Sequence, residues 1–106
     1  ASDVYKRQAE ALARNRDNRT MFALLELWAT WWRDVLLVQS GCAEACSNID
    51  RLDDLEGLAR QVPTNAVQRY LGTLKRIEGY LHHTVNTRLA LDVLLLQMPM
   101  PGRTAP

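Results

Sequence analysis

An all-α fold, a compact bundle of about five helices with short connections, is what this sequence predicts, and three observations carry the prediction. Apolar residues recur at spacings of three and four along most of the chain. Sustained period-two alternation and Asn-Gly or Asp-Gly hairpin turns are absent from the sequence. Gly41, Pro63 and Asn86 punctuate the helical pattern as stops and starts. The 106 residues make one domain at most, and 47% apolar with 24% charged residues argues against a disordered or collagen-like chain. A chain of this size buries roughly 60–70% of its unfolded surface.

The first segment, about Asp3 to Asn15, is short, with a modest apolar stripe from Val4, Gln8, Ala11 and Leu12. Arg14–Arg19 is polar and reads as a connector. Residues 1–18 are therefore expected to form an N-terminal helix and connector, 19–98 the helical domain, and 99–106 a disordered, proline-rich tail. Asp3–Gln8 resembles a peptide obtained when sequencing-adapter bases are translated, which would make 1–8 non-native; the alternative reading is an ordinary helix start. The start at Ala1 rather than Met carries the expectation of a piece of a longer protein.

The second segment, about Thr20 to Gln39, is the expected central helix. Leu24, Leu25, Leu27, Trp28, Trp31, Trp32, Val35, Leu36 and Val38 cover about half its circumference at 100° per residue. So wide an arc needs neighbours on several sides. Gly41 suits a left-handed stop after it. Cys42–Asn48 is a link. Asp50 is expected to cap a third helix, with Leu52, Leu55, Leu58, Ala59 and Val62 facing inward and Pro63 ending it. Thr64 is expected to cap a fourth, about Asn65 to His82, whose apolar face is Val67, Tyr70, Leu71, Leu74, Ile77 and Leu81.

Asn86 caps the last helix, Arg88 to Met98. Leu89, Val93 and Leu96 lie on one side of it, and Leu91, Leu94, Leu95 and Met98 on the other. Asp92 and the Ala90/Gln97 side separate them. A helix apolar on two faces lies in the middle of a bundle or gives one face to a partner. Leu91, Leu94, Leu95 and Met98 are accordingly the candidate interface, and Trp32 joins them as an aromatic anchor. Trp28 and Trp31 are assigned to the core. Gly72 and Gly79, a heptad apart, offer a place where another helix could approach closely.

Little chemistry is indicated. His82 and His83 are the only histidines and sit near a helix end, where a cation suits the helix dipole. Cys42 and Cys46 with His82 or His83 would make a zinc site, but no C-x-x-C or H-x₃₋₅-H spacing is present, and two half-buried thiols are the plainer reading. Asp50, Asp53, Asp54 and Glu56 suit a helix start. No glycine-rich phosphate loop occurs. No enzyme activity, cofactor or metal is expected. Arg69, Lys75 and Arg76 could touch phosphate, although three basic residues on a helix more often form a solvated face. The net charge of +1 points to neither a strong nucleic-acid binder nor an acidic tail. No apolar run reaches the ~18 residues of a membrane span and no secretory signal is visible, so the expected location is the cytoplasm.

Two strings carry a resemblance: Leu24-Leu-Glu-Leu-Trp-Ala-Thr-Trp-Trp-Arg-Asp-Val-Leu-Leu-Val-Gln-Ser-Gly41, and Val85-Asn-Thr-Arg-Leu-Ala-Leu-Asp-Val-Leu-Leu-Leu-Gln-Met98. With Asn48-Ile-Asp50 between them, the stretch from about Asn15 to Pro99 resembles the C-terminal domain of the bacterial DNA polymerase III delta-prime subunit, a clamp-loader family. Asp92 stands where that pattern has glutamate. Gamma/tau subunits have a similar final helix, so the equivalent gamma/tau domain is the neighbouring assignment. The resemblance implies a non-catalytic helical collar domain that joins gamma/tau and delta subunits while other modules load the sliding clamp onto primed DNA. The family's nucleotide-binding-like module and zinc-binding segment are outside this sequence. Two readings from other classes stand beside it: a free-standing helical DNA-binding module using Arg69, Lys75 and Arg76, and a small metal protein or enzyme using Cys42, Cys46 and His82.

Overall fold

A computed structural model describes the backbone of residues 2–83 and 86–101 and the side chains of residues 19–83 and 86–101. Among the described residues four α-helices follow in order: α1 (Ser2–Gln39), α2 (Leu52–Gln61), α3 (Thr64–Leu81) and α4 (Thr87–Gln97). Two single 3-10 turns, Ala43–Ala45 and Ile49–Arg51, lie in the link between α1 and α2. No strand occurs among the described residues.

The expected connector at Arg14–Arg19 is not a break. It is helical, so the first two segments form one helix of 38 residues, about 57 Å long at 1.5 Å per residue. The physical reason is that polarity alone does not stop a helix. Residues 2–40 contain no glycine or proline, and Arg and Asn cost a few tenths of a kcal/mol each against Ala. Gly41 supplies the stop: its φ is +79°, the amide of Cys42 donates to the Leu37 carbonyl at 2.8 Å, and that of Gly41 to Val38 at 3.1 Å. These two bonds satisfy carbonyls that a helix end leaves open.

The other boundaries shift by a residue or two from the sequence expectation. Asp50 lies in a 3-10 turn, and Arg51 takes the cap position of α2 without a side-chain cap bond. Thr64 is the first residue of α3 rather than its cap, and the Pro63 carbonyl accepts from the amides of Ala66 and Val67. Asn86 does cap α4, its Oδ1 accepting from the amide of Leu89 at 3.0 Å. Pro99 is buried, whereas the expected tail from Gly102 onward lies outside the described residues.

The core is one cluster. α1 contributes Met21, Leu25, Trp32 and Val35; α2 contributes Leu55; α3 contributes Val67, Tyr70, Leu74, Ile77 and Leu81; α4 contributes Ala90 and Leu94. α1 packs on all three other helices, as expected of the central one. Its buried stripe is narrower than the sequence arc, since Leu24 and Leu27 are exposed. Each fully buried leucine, such as Leu55 and Leu94, contributes about 1.5–3 kcal/mol relative to exposure.

Polar side chains fix how the helices meet. Asp34 of α1 is buried, and its carboxylate accepts from the amide of Ser47 at 3.0 Å, the amide of Asn48 at 2.8 Å and Asn48 Nδ2 at 2.7 Å. A buried carboxylate is tolerated because these donors replace water. Gln39 Nε2 donates to the carbonyls of Ala59 at 3.2 Å and Val62 at 2.9 Å, tying the end of α1 to the end of α2. Tyr70 of α3 donates from its hydroxyl to the Leu94 carbonyl in the last turn of α4 at 2.8 Å.

Candidate interaction surface

α4 carries most of the interface expected from the sequence, and the structure divides that set. Leu94 is completely buried and Trp32 is 2% exposed, so neither is available to a partner in this conformation. Trp32 sits edge-on against Tyr70, with ring centroids 5.5 Å apart. It shares a helical stripe with Leu25, seven residues earlier, and both belong to the core. Trp28 and Trp31, assigned to the core, are instead partly buried at its margin. Leu91 and Leu95 are exposed, and Met98 is half-buried against the core.

The reason for the division is the direction from which α3 meets α4. The Ala90 side, expected with Gln97 to separate two apolar faces, faces inward, while Gln97 in the last turn is exposed. Ala90 is 1% exposed, small enough for α3 to come close, and Leu94 follows it one turn on. What remains outside is an apolar flank on either side of this contact: Leu91 and Leu95 on one, Leu89 and Leu96 on the other. Met100, just after the helix, is exposed as well.

Beside this contact, α3 and α4 enclose an open groove of about 240 Å³. Ile77 and Tyr80 of α3 and Leu89, Ala90 and Val93 of α4 form its apolar walls. Its polar part is one connected group. Arg76 Nη2 donates to Thr73 Oγ1 at 3.0 Å, and that oxygen lies 3.1 Å from Gln97 Oε1 and 3.2 Å from the Arg69 carbonyl. The single Thr73 hydroxyl proton serves one of the last two at a time. A second, wider cleft of about 610 Å³ lies between α1 and α3, with Phe22, Leu25 and Leu74 inside and Glu26, Arg33 and Lys75 among its charged lining.

The basic residues do not form one patch. Arg76 lines the α3–α4 groove, whereas Lys75 lines the α1–α3 cleft. Consecutive helix positions point about 100° apart, so they cannot track one phosphate backbone as a unit. Gly72 and Gly79 mark no close approach among the described residues: a β-carbon at Gly72 would lie 3.7 Å from the Arg76 guanidinium, and one at Gly79 would have none of them within 4 Å.

The cysteines and histidines are also dispersed. Cys42 Sγ lies 3.8 Å from the Ser40 carbonyl and Cys46 Sγ 3.5 Å from that of Asp34. Burial pushes the Cys46 thiol up, and the negative charge of Asp34 adds to the effect, so thiolate is disfavoured there. His82 stacks on Phe22 with centroids 4.8 Å apart, at the end of α3. Among the described residues, no three His, Cys, Asp or Glu side chains gather closely enough to hold a metal ion. No helix among the described residues is long and apolar enough to cross a membrane.

The residues that sequence reasoning passes over are Asp34 and Asn48 as a bonded pair, and Leu89 as a groove wall. The sequence gives little signal for the first: at 100° per residue Asp34 falls outside the apolar arc, beside Glu26, Thr30 and Arg33, and it is the link carrying Ser47 and Asn48 that meets its carboxylate.

A family model described as DNA polymerase III, delta subunit, C terminal, matches residues 2–99. Comparison with curated proteins and with solved structures gave no match.

Proposed function

The chain belongs to the family formed by the C-terminal domains of DNA polymerase III delta subunits, a clamp-loader family, and from that premise we propose that it is the collar domain of a delta-prime subunit. In this reading it is a non-catalytic assembly domain. It binds gamma/tau and delta subunits in the cytoplasm, and it meets DNA and the sliding clamp only through the whole complex. The tryptophan-rich helix ending in Trp32-Arg-Asp34, with Asn48-x-Asp50 after it, favours delta-prime over the equivalent gamma/tau domain.

The observation that supports an assembly role is the exposure of Leu89, Leu91, Leu95 and Leu96 on one eleven-residue helix. Isolated exposed leucines are ordinary, but four on one short helix, two on each flank of the α3 contact, leave apolar flanks of the kind that partners cover. The alternative of a free-standing DNA-binding module is weakened by the separation of Lys75 from Arg76.

The test is size-exclusion chromatography with light scattering, on the chain alone and mixed with purified gamma/tau and delta subunits. Co-elution as a defined heteromer is expected. The double variant Leu91→Glu/Leu95→Glu should abolish it while the circular-dichroism spectrum stays helical, because both side chains reach solvent. A monomer that ignores both partners would sink the assembly reading.

A further inference from the structure

We propose that the α3–α4 groove, resting on the assembly reading above, seats a segment of a neighbouring subunit that presents one large apolar side chain and a nearby carboxylate. The apolar side chain enters between Ile77, Tyr80, Leu89 and Val93, and the carboxylate pairs with Arg76 at the groove's polar part.

Three observations select this occupant. The first is size. The groove holds about 240 Å³, more than the ~150 Å³ of an apolar cavity that takes benzene, so it admits a leucine or an aromatic ring. The second is charge. Among the described residues the one ion pair is Arg51 with Asp54, far along the chain from the groove. Arg76 thus has no carboxylate within ion-pair distance among the described residues, and neither has Arg69, seven residues earlier on the same stripe of α3. The Arg76 guanidinium gives one of its donors to Thr73 and has others to offer. Planar, bidentate donors of this type suit a carboxylate.

The third observation is what the groove disfavours. A second copy related by a two-fold axis through the groove would bring the two Arg76 side chains together, a like-charge contact. A nucleic-acid backbone needs a run of positive charge, and the neighbouring Lys75 opens onto the opposite cleft. An acidic-apolar protein segment satisfies both the walls and the arginine.

The test measures affinity of the chain for its purified clamp-loader partner subunits by calorimetry, at low and high salt, for four variants. Leu89→Glu should weaken binding more than about 30-fold, the loss expected of a central apolar anchor. Arg76→Glu should weaken it about tenfold at low salt and less at high salt, where the pair is screened. Arg76→Lys should fall between the parent and Arg76→Glu, because it keeps the charge but loses the planar, bidentate fork. Leu91→Glu/Leu95→Glu is the reference for the rest of α4. Arg76 is exposed, so the Arg76→Glu and Arg76→Lys pair keeps the test valid if Leu89→Glu fails to fold by circular dichroism.

Parent-like binding by both Leu89→Glu and Arg76→Glu, with the reference variant defective, overturns the groove and leaves the assembly reading standing. A parent chain that binds no subunit overturns both. Self-association of the chain alone, abolished by Leu89→Glu, assigns the groove to a second copy and overturns the proposal. Loss of binding to a DNA duplex on Arg76→Glu, with subunit binding intact, does the same in favour of nucleic acid.

Discussion

α3 and α4 are consecutive helices that use leucine in opposite ways. In α3 the buried set, Val67, Tyr70, Leu74, Ile77 and Leu81, repeats at three and four, and its charged residues lie outside. α4 is shorter and apolar almost all round, yet it buries fully only Ala90 and Leu94 while Leu89, Leu91, Leu95 and Leu96 reach solvent. The first pattern is what a helix needs to fold into its own domain, here against α1 and α4. The second exceeds that need, and the excess is the part of the molecule available for assembly. Composition alone therefore misleads in α4: the residue that docks it is its alanine, which lets α3 approach, not most of its leucines.

Predictions can break this comparison, beginning with the contact that holds the frame in which both helices sit. Replacing Asp34 by alanine leaves the amides of Ser47 and Asn48 and the Asn48 side chain without their acceptor. Unsatisfied donors cost about 1–3 kcal/mol each when buried, and these three are part-buried, so a loss near the lower end, about 3–5 kcal/mol in total, is expected in urea unfolding. A midpoint close to the parent's would show that water or another side chain takes over.

The next effect lies within α4. Leu94→Ala should cost about 2–5 kcal/mol, because Leu94 is fully buried, whereas Leu95→Ala should stay within about 0.5 kcal/mol. Adjacent leucines with equal effects would erase the division between docking and exposed positions.

A smaller effect tests the bond that joins the two helices. Tyr70→Phe removes the donor to the Leu94 carbonyl and should cost about 1–2 kcal/mol. Tyr70 also has a pH signature. Burial pushes its pKa up to about 12 from 10.0, so the neutral hydroxyl is favoured in the folded chain. The contribution is fully present below pH 10 and is lost as pH rises towards 12, where the unfolded chain ionises first. Denaturation midpoints of the parent should fall across that window more steeply than those of Tyr70→Phe. Parallel curves would mean that Tyr70 does not titrate differently in the two states.

The smallest effect is expected at the surface. Arg51 and Asp54 face each other at 3.9 Å with both side chains largely exposed. Arg51→Ala should change stability by no more than about 0.5 kcal/mol. A larger loss would place Arg51 in the link that Asp34 organises.

Periodicity alone is enough for the helical class, for the inward residues of α2 and α3, for the stop at Gly41 and for the cap at Asn86, because each depends on residues within a turn or two of one another. It fails at Arg14–Arg19, where polarity reads as a break although nothing in that run opposes a helix. The assembly surface is half legible. The surplus of leucine in α4 is visible in the sequence, but Leu91 and Leu95 cannot be told from Leu94, nor Trp32 from Trp28. Those distinctions depend on the direction from which α3 meets α4 and α1, and that direction is set by contacts across the fold: Tyr70 with Leu94, Trp32 against Tyr70, Gln39 with the end of α2. A helical repeat determines which side chains share a face; only packing between distant segments decides which face is covered.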